Sequence, residues 1–272
     1  MFFMECGSMN ISEKLKIVQN PSRPNVIDYI DIIFPGFIEM HGDRLFGDDP
    51  SIIGGLAFLN GAPVTVIGQI RGRNLSENLK YNFSMSHPEG FRKSLRLMKQ
   101  AEKFHRPVVC FIDTLGAYPG VEAECRGQSA AIANNIMEMM SLRIPIFGVF
   151  IGNGVSGGAL ALSVANETIM LENALFSIIS PKGCANILWK DPSRYMEAAE
   201  LLKMTAEDIY DLRLADIILK EPEGGAHADK VYMASRIGET LDGLLKKYRF
   251  ISAGRIQKKR YEKYRKIGQY LR

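Results

Sequence analysis

The sequence predicts a single α/β domain in which neighbouring strands run parallel. Two observations carry this prediction: no segment has the composition of an interdomain linker, and a strand, a glycine-rich turn and a helix follow one another twice, over 108–142 and 146–165. The helix between the two strands is long enough to cross back over a sheet, so the strands should lie side by side. Both turns then fall at the carboxyl edge of the sheet, where α/β folds bind their ligands.

The first fifty residues predict a leader, one helix and an ordered loop. Pro21 and Pro24 interrupt any earlier helix. Apolar residues then recur at helical spacing up to Pro35, namely Ile27, Ile30, Ile33 and Phe34. The segment 41–50 is polar and turn-rich, and its charged residues either serve a site or simply cap and bridge the chain.

A β-hairpin follows. Two apolar runs, 52–59 and 64–67, flank Asn60-Gly61, the strongest short signal for a tight hairpin turn. After a loop that carries His87, the segment 91–104 has the period of an amphipathic helix. The later elements are predicted as strand 108–112, turn 113–120, helix 122–142, strands 168–171, 175–179 and 217–219, and helices that begin at Ser180-Pro181, Ala198 and the capping-box-like Thr205.

The most informative stretch for chemistry is 144–162. Its apolar run 146–151 predicts a buried strand that stops at Gly152, and more glycines precede an Ala/Leu-rich helix. Free N–H groups and the helix dipole at such a junction suit a phosphate or a developing oxyanion. Gly152 to Gly157 matches GxGxxG, but no acidic residue follows in the βαβ context of a dinucleotide fold, and no Lys completes a P-loop. A turn needed only for close packing remains the alternative.

The two glycine turns together predict an oxyanion hole. Backbone N–H groups near Gly116 and Ala117 could converge with those near Gly158 and Ala159 on one oxygen. Each such donor contributes about 3–4 kcal/mol to lowering a barrier.

Composition narrows the class of protein. The chain has 272 residues and a net charge of +4, and it has no apolar run near the roughly 20 residues of a membrane span. Its start lacks the features of a signal peptide, so we expect a cytoplasmic protein. The four cysteines (Cys6, Cys110, Cys125 and Cys184) form no CxxC pair, so neither a metal site nor a disulfide framework is indicated, and Cys110 is expected to be a buried small hydrophobe.

Basic charge concentrates at the end of the chain. Residues 246–272 contain eleven Lys or Arg and a single acidic residue, Glu262. Such a segment could contact an acidic partner or nucleic acid, or it could be a solvated basic helix that packs its apolar stems on the body. We divide the chain into a leader and helix at 1–40, a main domain at 41–245 and this tail.

Several long motifs of the chain resemble those of a known family. Residues 41 to about 228 resemble the α subunits of the bacterial carboxyltransferase component of acetyl-CoA carboxylase. The motifs are HGDRLFGDDPSIIGG (41–55), RGR (71–73), NFSMSHPEGFRKSLRLMKQAEKF (82–104), RPVVCFIDTLGAYPG (106–120), CRGQS (125–129), SGGALAL (156–162), ISPKGCANILWKD (179–191) and LKMTAEDI (202–209).

The resemblance implies a crotonase-like fold of repeated ββα units. It also implies an α₂β₂ assembly with a zinc-ribbon β subunit, so this chain needs no metal. The implied activity transfers the carboxyl group of carboxybiotin, held on a separate biotin carboxyl carrier protein, to acetyl-CoA. The product is malonyl-CoA, the first committed intermediate of fatty acid biosynthesis. Biotin carboxylase, another component, would use the ATP.

The resemblance also assigns roles to residues. The oxyanion hole of this chain would face the biotin ring and consist of Gly157, Gly158 and Ala159, with Gly116 and Ala117 as the facing backbone. Substrate contacts would come from the residues of the RGR motif and the two turns, namely Arg71, Gly72, Arg73, Tyr118 and Ser156. No side-chain base is evident in the sequence, as expected if a biotin nitrogen takes the substrate proton.

Three positions depart from the family pattern. Leu115 replaces the usual Pro, and Asn153 and Val155 replace the usual Glu and Gly. Val155 requires a negative φ, since a β-branched residue resists φ > 0. Three alternatives therefore stay open: a divergent copy that carboxylates another acyl-CoA, a stand-alone hydratase or decarboxylase with Glu122 or Glu124 as base, and a scaffold or nucleic-acid-binding protein that uses the tail.

Overall fold

A mixed β-sheet organises residues 10–268, the part of the chain that this computed structural model describes. Within this range the sheet has eight strands. They are β1 (Ile38–Glu39), β2 (Ile52–Leu59), β3 (Ala62–Gln69), β4 (Val108–Thr114), β5 (Ile146–Val155), β6 (Glu167–Leu171), β7 (Leu175–Ser177) and β8 (Ile217–Leu219). The strand order is β1-β2-β3-β4-β5-β6-β8, and β7 pairs with the end of β5.

The direction of the strands confirms the predicted hairpin and the predicted parallel pair. β2 and β3 pair antiparallel around the Asn60-Gly61 turn, whereas β3, β4, β5, β6 and β8 run parallel. Every residue of β4 is buried, as expected for a strand covered on both faces. Cys110 is wholly buried there, and burial raises the pKa of its thiol, which suits the predicted role as a small hydrophobe.

Twelve helices surround the sheet within the described range. They are α1 (Ile11–Gln19), α2 (Val26–Ile33), α3 (Leu75–Lys80), α4 (Pro88–Lys103), α5 (Val121–Cys125), α6 (Gln128–Ser141), α7 (Ser156–Ser163), α8 (Pro181–Trp189), α9 (Tyr195–Leu201), α10 (Ala206–Asp211), α11 (Lys230–Tyr248) and α12 (Ala253–Arg265). Among them, none combines the length and the apolar character that crossing a membrane requires. The capping box at Thr205 is confirmed, since its side chain and that of Asp208 each accept the other's backbone N–H.

Several elements differ from the sequence prediction, among them β1 and α3, which were not predicted, and β7, which ends at Ser177 instead of 179. An additional helix, α1, precedes Pro21, capped by a box between Asn10 and Glu13. The single helix predicted over 122–142 is two helices, α5 and α6, because Gly127 between them is left-handed with φ 83°. Strand β5 does not stop at Gly152 but runs to Val155, since its last residues pair with β7.

Part of the basic tail packs on the body. Arg260 of α12 is wholly buried and donates to the carbonyls of Leu142 and Ile144, and burial lowers its pKa to about 10. The hydroxyl of Tyr264 donates to the Ser163 carbonyl at 2.9 Å. These contacts favour the packed-helix interpretation for 246–268. Cys6 and residues 269–272 lie outside the described residues, and the three-part division of the chain stays a prediction.

In the charged loop 41–50, Asp43 has a structural role, since it binds backbone N–H groups of the loop itself and the side chain of Arg92 on α4. The Oδ1 atom of this buried side chain accepts the N–H groups of Leu45, Phe46 and Gly47, and Oδ2 accepts from Nε of Arg92 at 2.7 Å. Burial alone would raise the pKa of Asp43, but these donors outweigh it and lower the pKa to about 2.

Asparagine in place of Asp43 should therefore lower the free energy of unfolding by about 2 kcal/mol at neutral pH. In the parent protein this contribution is present above the ordinary pKa of 3.8 and is lost as the pH falls toward about 2. Urea unfolding across pH 2–7 measures both effects. The exposed Asp31→Asn serves as the control for loss of a charge. If the free energy of unfolding of Asp43→Asn depended on pH in the same way as that of the parent, Asp43 would not have the lowered pKa assigned to it.

Candidate active site

The two glycine turns meet at the carboxyl edge of the sheet. β4 and β5 are parallel neighbours, with Thr114 opposite Gly154 at their ends. The turn after β4 then touches the backbone of α7: a Cβ built on Gly158 would lie 2.5 Å from the carbonyl carbon of Gly116 and 2.8 Å from the nitrogen of Ala117. This contact requires glycine at 158.

Strand β5 passes into α7 without an intervening loop. Ser156 makes the change of direction with φ 60°, a left-handed conformation that is uncommon outside glycine and is found often at functional sites. Gly157 and Gly158 therefore occupy the first turn of α7, where N–H groups have no intrahelical partner and the dipole adds partial positive charge. Ala159 is wholly buried at the fourth helical position, where the intrahelical ladder begins.

The facing turn supplies one donor rather than two. The Gly116 N–H donates to Oγ1 of Thr114 at 3.0 Å, so it is already occupied. The Ala117 N–H makes no hydrogen bond within residues 10–268, whereas the Tyr118 N–H is held by the Ser86 carbonyl at 3.0 Å. The available donors of the predicted hole are thus those of Gly157 and Gly158 on α7 and of Ala117 opposite. Gly116 has φ 132°, a backbone conformation that favours glycine.

A cavity of about 440 Å³ opens at this junction. Among the predicted residues it is lined by Gly116, Ala117, Tyr118 and Ser156. Gly157, Gly158 and Ala159 are not among the lining residues. Other lining residues were not predicted, notably Met85, Gln128, Ile132, Ile178 and Ile179.

Contacts behind the cavity fix the Tyr118 segment. The His87 ring stacks on that of Tyr118 with centroids 4.1 Å apart, and its Nδ1 lies 3.2 Å from Nη2 of Arg126. Gln128 donates from Nε2 to the carbonyls of Ser86 and Tyr118. His87 therefore supports the cavity wall by stacking and hydrogen bonding.

The RGR motif lies beside this cavity, in a second one of about 220 Å³. Leu115 lines both cavities and lies between them. The Arg71 guanidinium donates to the carbonyls of Val18 and Asn20 at the end of α1 and lies 3.5 Å from a carboxylate oxygen of Asp113. Arg73 pairs with Asp28, and Gly72 allows close approach to α3, since its Cβ would lie 2.4 Å from the Asn78 nitrogen. Both arginines thus have intramolecular partners, and their predicted contacts to substrate stay predictions.

Asp113 lines the second cavity and was not among the residues predicted from the sequence. Its carboxylate is wholly buried at the end of β4, so burial raises its pKa, while Arg71, the Asn153 N–H and Arg23 counteract this in part. Oδ1 accepts the Asn153 N–H at 2.9 Å. Gly152 gives it room, because a Cβ there would lie 2.3 Å from Oδ1. The available signal was an acidic residue at the end of an otherwise apolar strand.

The structure accommodates the three departures from the family pattern. Val155 has φ −109°, so the expectation of a negative φ is confirmed. Asn153 contributes its backbone N–H to Asp113. Leu115 is 53 % exposed at the mouth of the two cavities, where its side chain meets solvent.

The carboxylates proposed for a hydratase lie at the surface. Glu124 lines the first cavity, but both it and Glu122 are exposed on α5. A general base at neutral pH usually depends on burial that raises its pKa. This geometry gives the hydratase or decarboxylase alternative no support.

Sequence comparisons place the chain in one family. The family model described as acetyl co-enzyme A carboxylase carboxyltransferase-like matches residues 5–268. The acetyl-coenzyme A carboxylase carboxyl transferase subunit alpha of Listeria welshimeri is 52% identical over 97% of this chain and 83% of its own length. The same subunit of Clostridium acetobutylicum is 52% identical over 95% of this chain and 94% of its own length.

Solved structures share the fold. Transcarboxylase 12S superposes with a TM-score of 0.68 at 17% identity, over 89% of this chain and 45% of the other, so the chain spans less than half of that protein. A Pseudomonas malonate decarboxylase hetero-dimer superposes with a TM-score of 0.61 at 19% identity, over 82% of this chain and 89% of the other. At these identities the likeness concerns the fold alone, and it confirms the crotonase-like α/β architecture.

Proposed function

Because this chain belongs to the acetyl-CoA carboxylase carboxyltransferase family, as an α subunit, we propose that it transfers a carboxyl group from carboxybiotin on a carrier protein to acetyl-CoA, forming malonyl-CoA. One observation supports the proposal for the site: the start of α7, where the amides of Gly157 and Gly158 lie, packs directly against the backbone of Gly116 and Ala117, at the edge of a cavity that Ala117 and Ser156 line. Such donors, fixed before the reaction, stabilise negative charge that develops on an oxygen.

The cavity suits the compact polar ring of biotin. A Cβ at Gly157 would stand 3.5 Å from Ile132, a residue of the cavity wall, so the start of α7 lies next to this wall. Ile132, Ile178 and Tyr118 supply an apolar surface for a flat ring. When bound, carboxybiotin supplies the carboxyl group. The residues of this chain bind the ring, orient its oxygen toward the amides and exclude water.

A partner subunit would complete the site. The chain belongs to a family of subunits from a multi-subunit enzyme, and large apolar side chains are exposed around the cavity mouth and on the neighbouring helices α5 and α8. We call this group the apolar rim: Leu115, Val121, Ile178, Ile187 and Leu188, each 53–79 % exposed. Exposed apolar groups of this kind mark interfaces between proteins. We assign the rim to a β subunit that carries the zinc ribbon and binds acetyl-CoA, with the biotin carboxyl carrier protein, charged by biotin carboxylase, entering between the subunits in the cytoplasm.

Reconstitution tests this function. The chain is mixed with the β subunit from the same source and with carboxylated carrier protein, and malonyl-CoA formation from acetyl-CoA is followed. We expect turnover that disappears when either subunit is left out. The same assay is carried out with propionyl-CoA as substrate. Product from propionyl-CoA but not from acetyl-CoA would indicate that this protein carboxylates another acyl-CoA. A complex that forms no product from either substrate, or no complex at all, would overturn the proposal.

A further inference from the structure

Gln69 links the end of β3 to the first turn of α7. Its side chain is wholly buried, and its Nε2 donates to the Gly158 carbonyl at 2.9 Å. Gly158 is the residue whose Cα packs against the backbone of Gly116 and Ala117. The first turn of α7 is therefore held on two sides, by backbone contact with the facing turn and by the amide of Gln69.

The oxygen of the Gln69 side-chain amide, unlike its nitrogen, has no hydrogen-bond partner among the described residues. This oxygen, Oε1, is buried. An unpaired buried acceptor destabilises the folded state, whereas an apolar side chain of the same shape would carry no such cost. The Gly158 carbonyl also has a partner within α7, as helix geometry provides, so it does not need Gln69 for its own satisfaction. The hydrogen bond from Gln69 is therefore not needed to satisfy the Gly158 carbonyl, and what it adds is a link between the end of β3 and the first turn of α7.

We infer that Gln69 is a positioning residue that fixes the Gly157 and Gly158 amides relative to Ala117, an inference that rests on the proposed carboxyl transfer. Donors in such a hole act only when they point at the oxygen on which charge develops. A displacement of about 1 Å can reduce turnover on the order of 100-fold. Gln69 makes no predicted contact with substrate and acts through α7.

Gln69→Met tests the inference, because methionine has a similar shape but no hydrogen-bonding amide. We expect kcat in the reconstituted enzyme to fall at least about 10-fold with little change in the KM for acetyl-CoA. The melting temperature should stay the same or rise, since the unpaired Oε1 is removed. A purely structural role would instead lower the melting temperature.

Asn135 offers a matched control. It is also wholly buried, its Nδ2 donates to the Ala161 carbonyl of α7 at 3.2 Å, and its Oδ1 is likewise without a partner in the described chain. This hydrogen bond is made to the second turn of α7, not to the first turn that carries the Gly157 and Gly158 amides. Asn135→Leu should therefore leave kcat unchanged.

Hydrogen exchange gives a readout that does not depend on activity. In the complete chain, the peptide covering 154–160 should exchange faster in Gln69→Met than in the parent or in Asn135→Leu. Parent-like exchange together with parent-like kcat in Gln69→Met would overturn the inference. Failure of the parent enzyme to turn over would count against the proposed function, and the exchange result would still decide whether Gln69 positions α7.

Discussion

Alanine in place of Gly158 should reduce carboxyl transfer by at least about 100-fold and cost about 1–3 kcal/mol of unfolding free energy. The added Cβ would lie 2.5 Å from the Gly116 carbonyl carbon, a distance that atoms without a bond do not adopt. The neighbours are backbone atoms and cannot rotate aside. Either α7 or the facing turn must move, which separates the amides of α7 from that of Ala117. The kcat of the reconstituted enzyme and urea unfolding measure the two losses.

Gly243 provides the control for this variant. It lies exposed on α11, and nothing would lie within 4 Å of a Cβ added there. Gly243→Ala should keep full turnover and gain up to about 1 kcal/mol, since alanine favours a helix over glycine. If Gly158→Ala turned over as fast as Gly243→Ala, the close contact between the two turns would have no part in the reaction.

The local sequence predicted the elements whose signals are local. Asn60-Gly61 predicted the hairpin, and the helical spacing of apolar residues over 91–104 predicted α4 to within a few residues. The parallel pairing of β4 and β5 followed from two strands joined by a crossing helix. The extension of β5 to Val155 could not be predicted in this way. It depends on pairing with β7, some twenty residues later, and local propensity carries no information about that contact.

At the candidate site the sequence predicted a backbone contact that the structure shows, but not the side-chain contacts around it. Glycine spacing located the contact between the turn at Gly116 and the start of α7, since only glycine permits such an approach. The partners of Arg71 and the burial of Asp113 depend on tertiary contacts with α1 and β5 that no local pattern encodes. Gln69 gave no signal of its own, because a polar residue at the end of a strand is ordinary in any sheet.

A second large effect is expected at Arg23, in the connection between α1 and α2. Its guanidinium forms a two-pronged ion pair with Glu221, at 2.8 and 2.6 Å, and donates from Nε to the Ile151 carbonyl of β5. Both side chains are wholly buried. Glu221 also accepts from Asn173 and from the Ala226 N–H. The pair therefore joins four separate segments of the chain.

Arg23→Met should lower the free energy of unfolding at neutral pH by about 3–5 kcal/mol, because it leaves the buried Glu221 carboxylate without its cation. Arg23→Met combined with Glu221→Gln should recover part of this loss, since the unpaired charge is gone while an acceptor for Ala226 remains. Chemical denaturation of the complete chain measures both. Arg236→Met, which breaks an exposed pair with Glu239, serves as the control and should change stability little.

The dependence on pH distinguishes a lost charge partner from lost packing. In the parent, burial would raise the pKa of Glu221, but Arg23 and Asn173 outweigh it and lower the pKa below its ordinary value of 4.5. The stability that Glu221 contributes is thus present above that value and is lost as the pH falls below it. In Arg23→Met the buried Glu221 has no cation beside it and so takes up a proton more readily on folding. The difference in unfolding free energy between the variant and the parent should therefore become smaller as the pH falls through about 4.5. A difference that stayed constant across this range would assign the loss to packing, and the ion pair would not be what holds the four segments together.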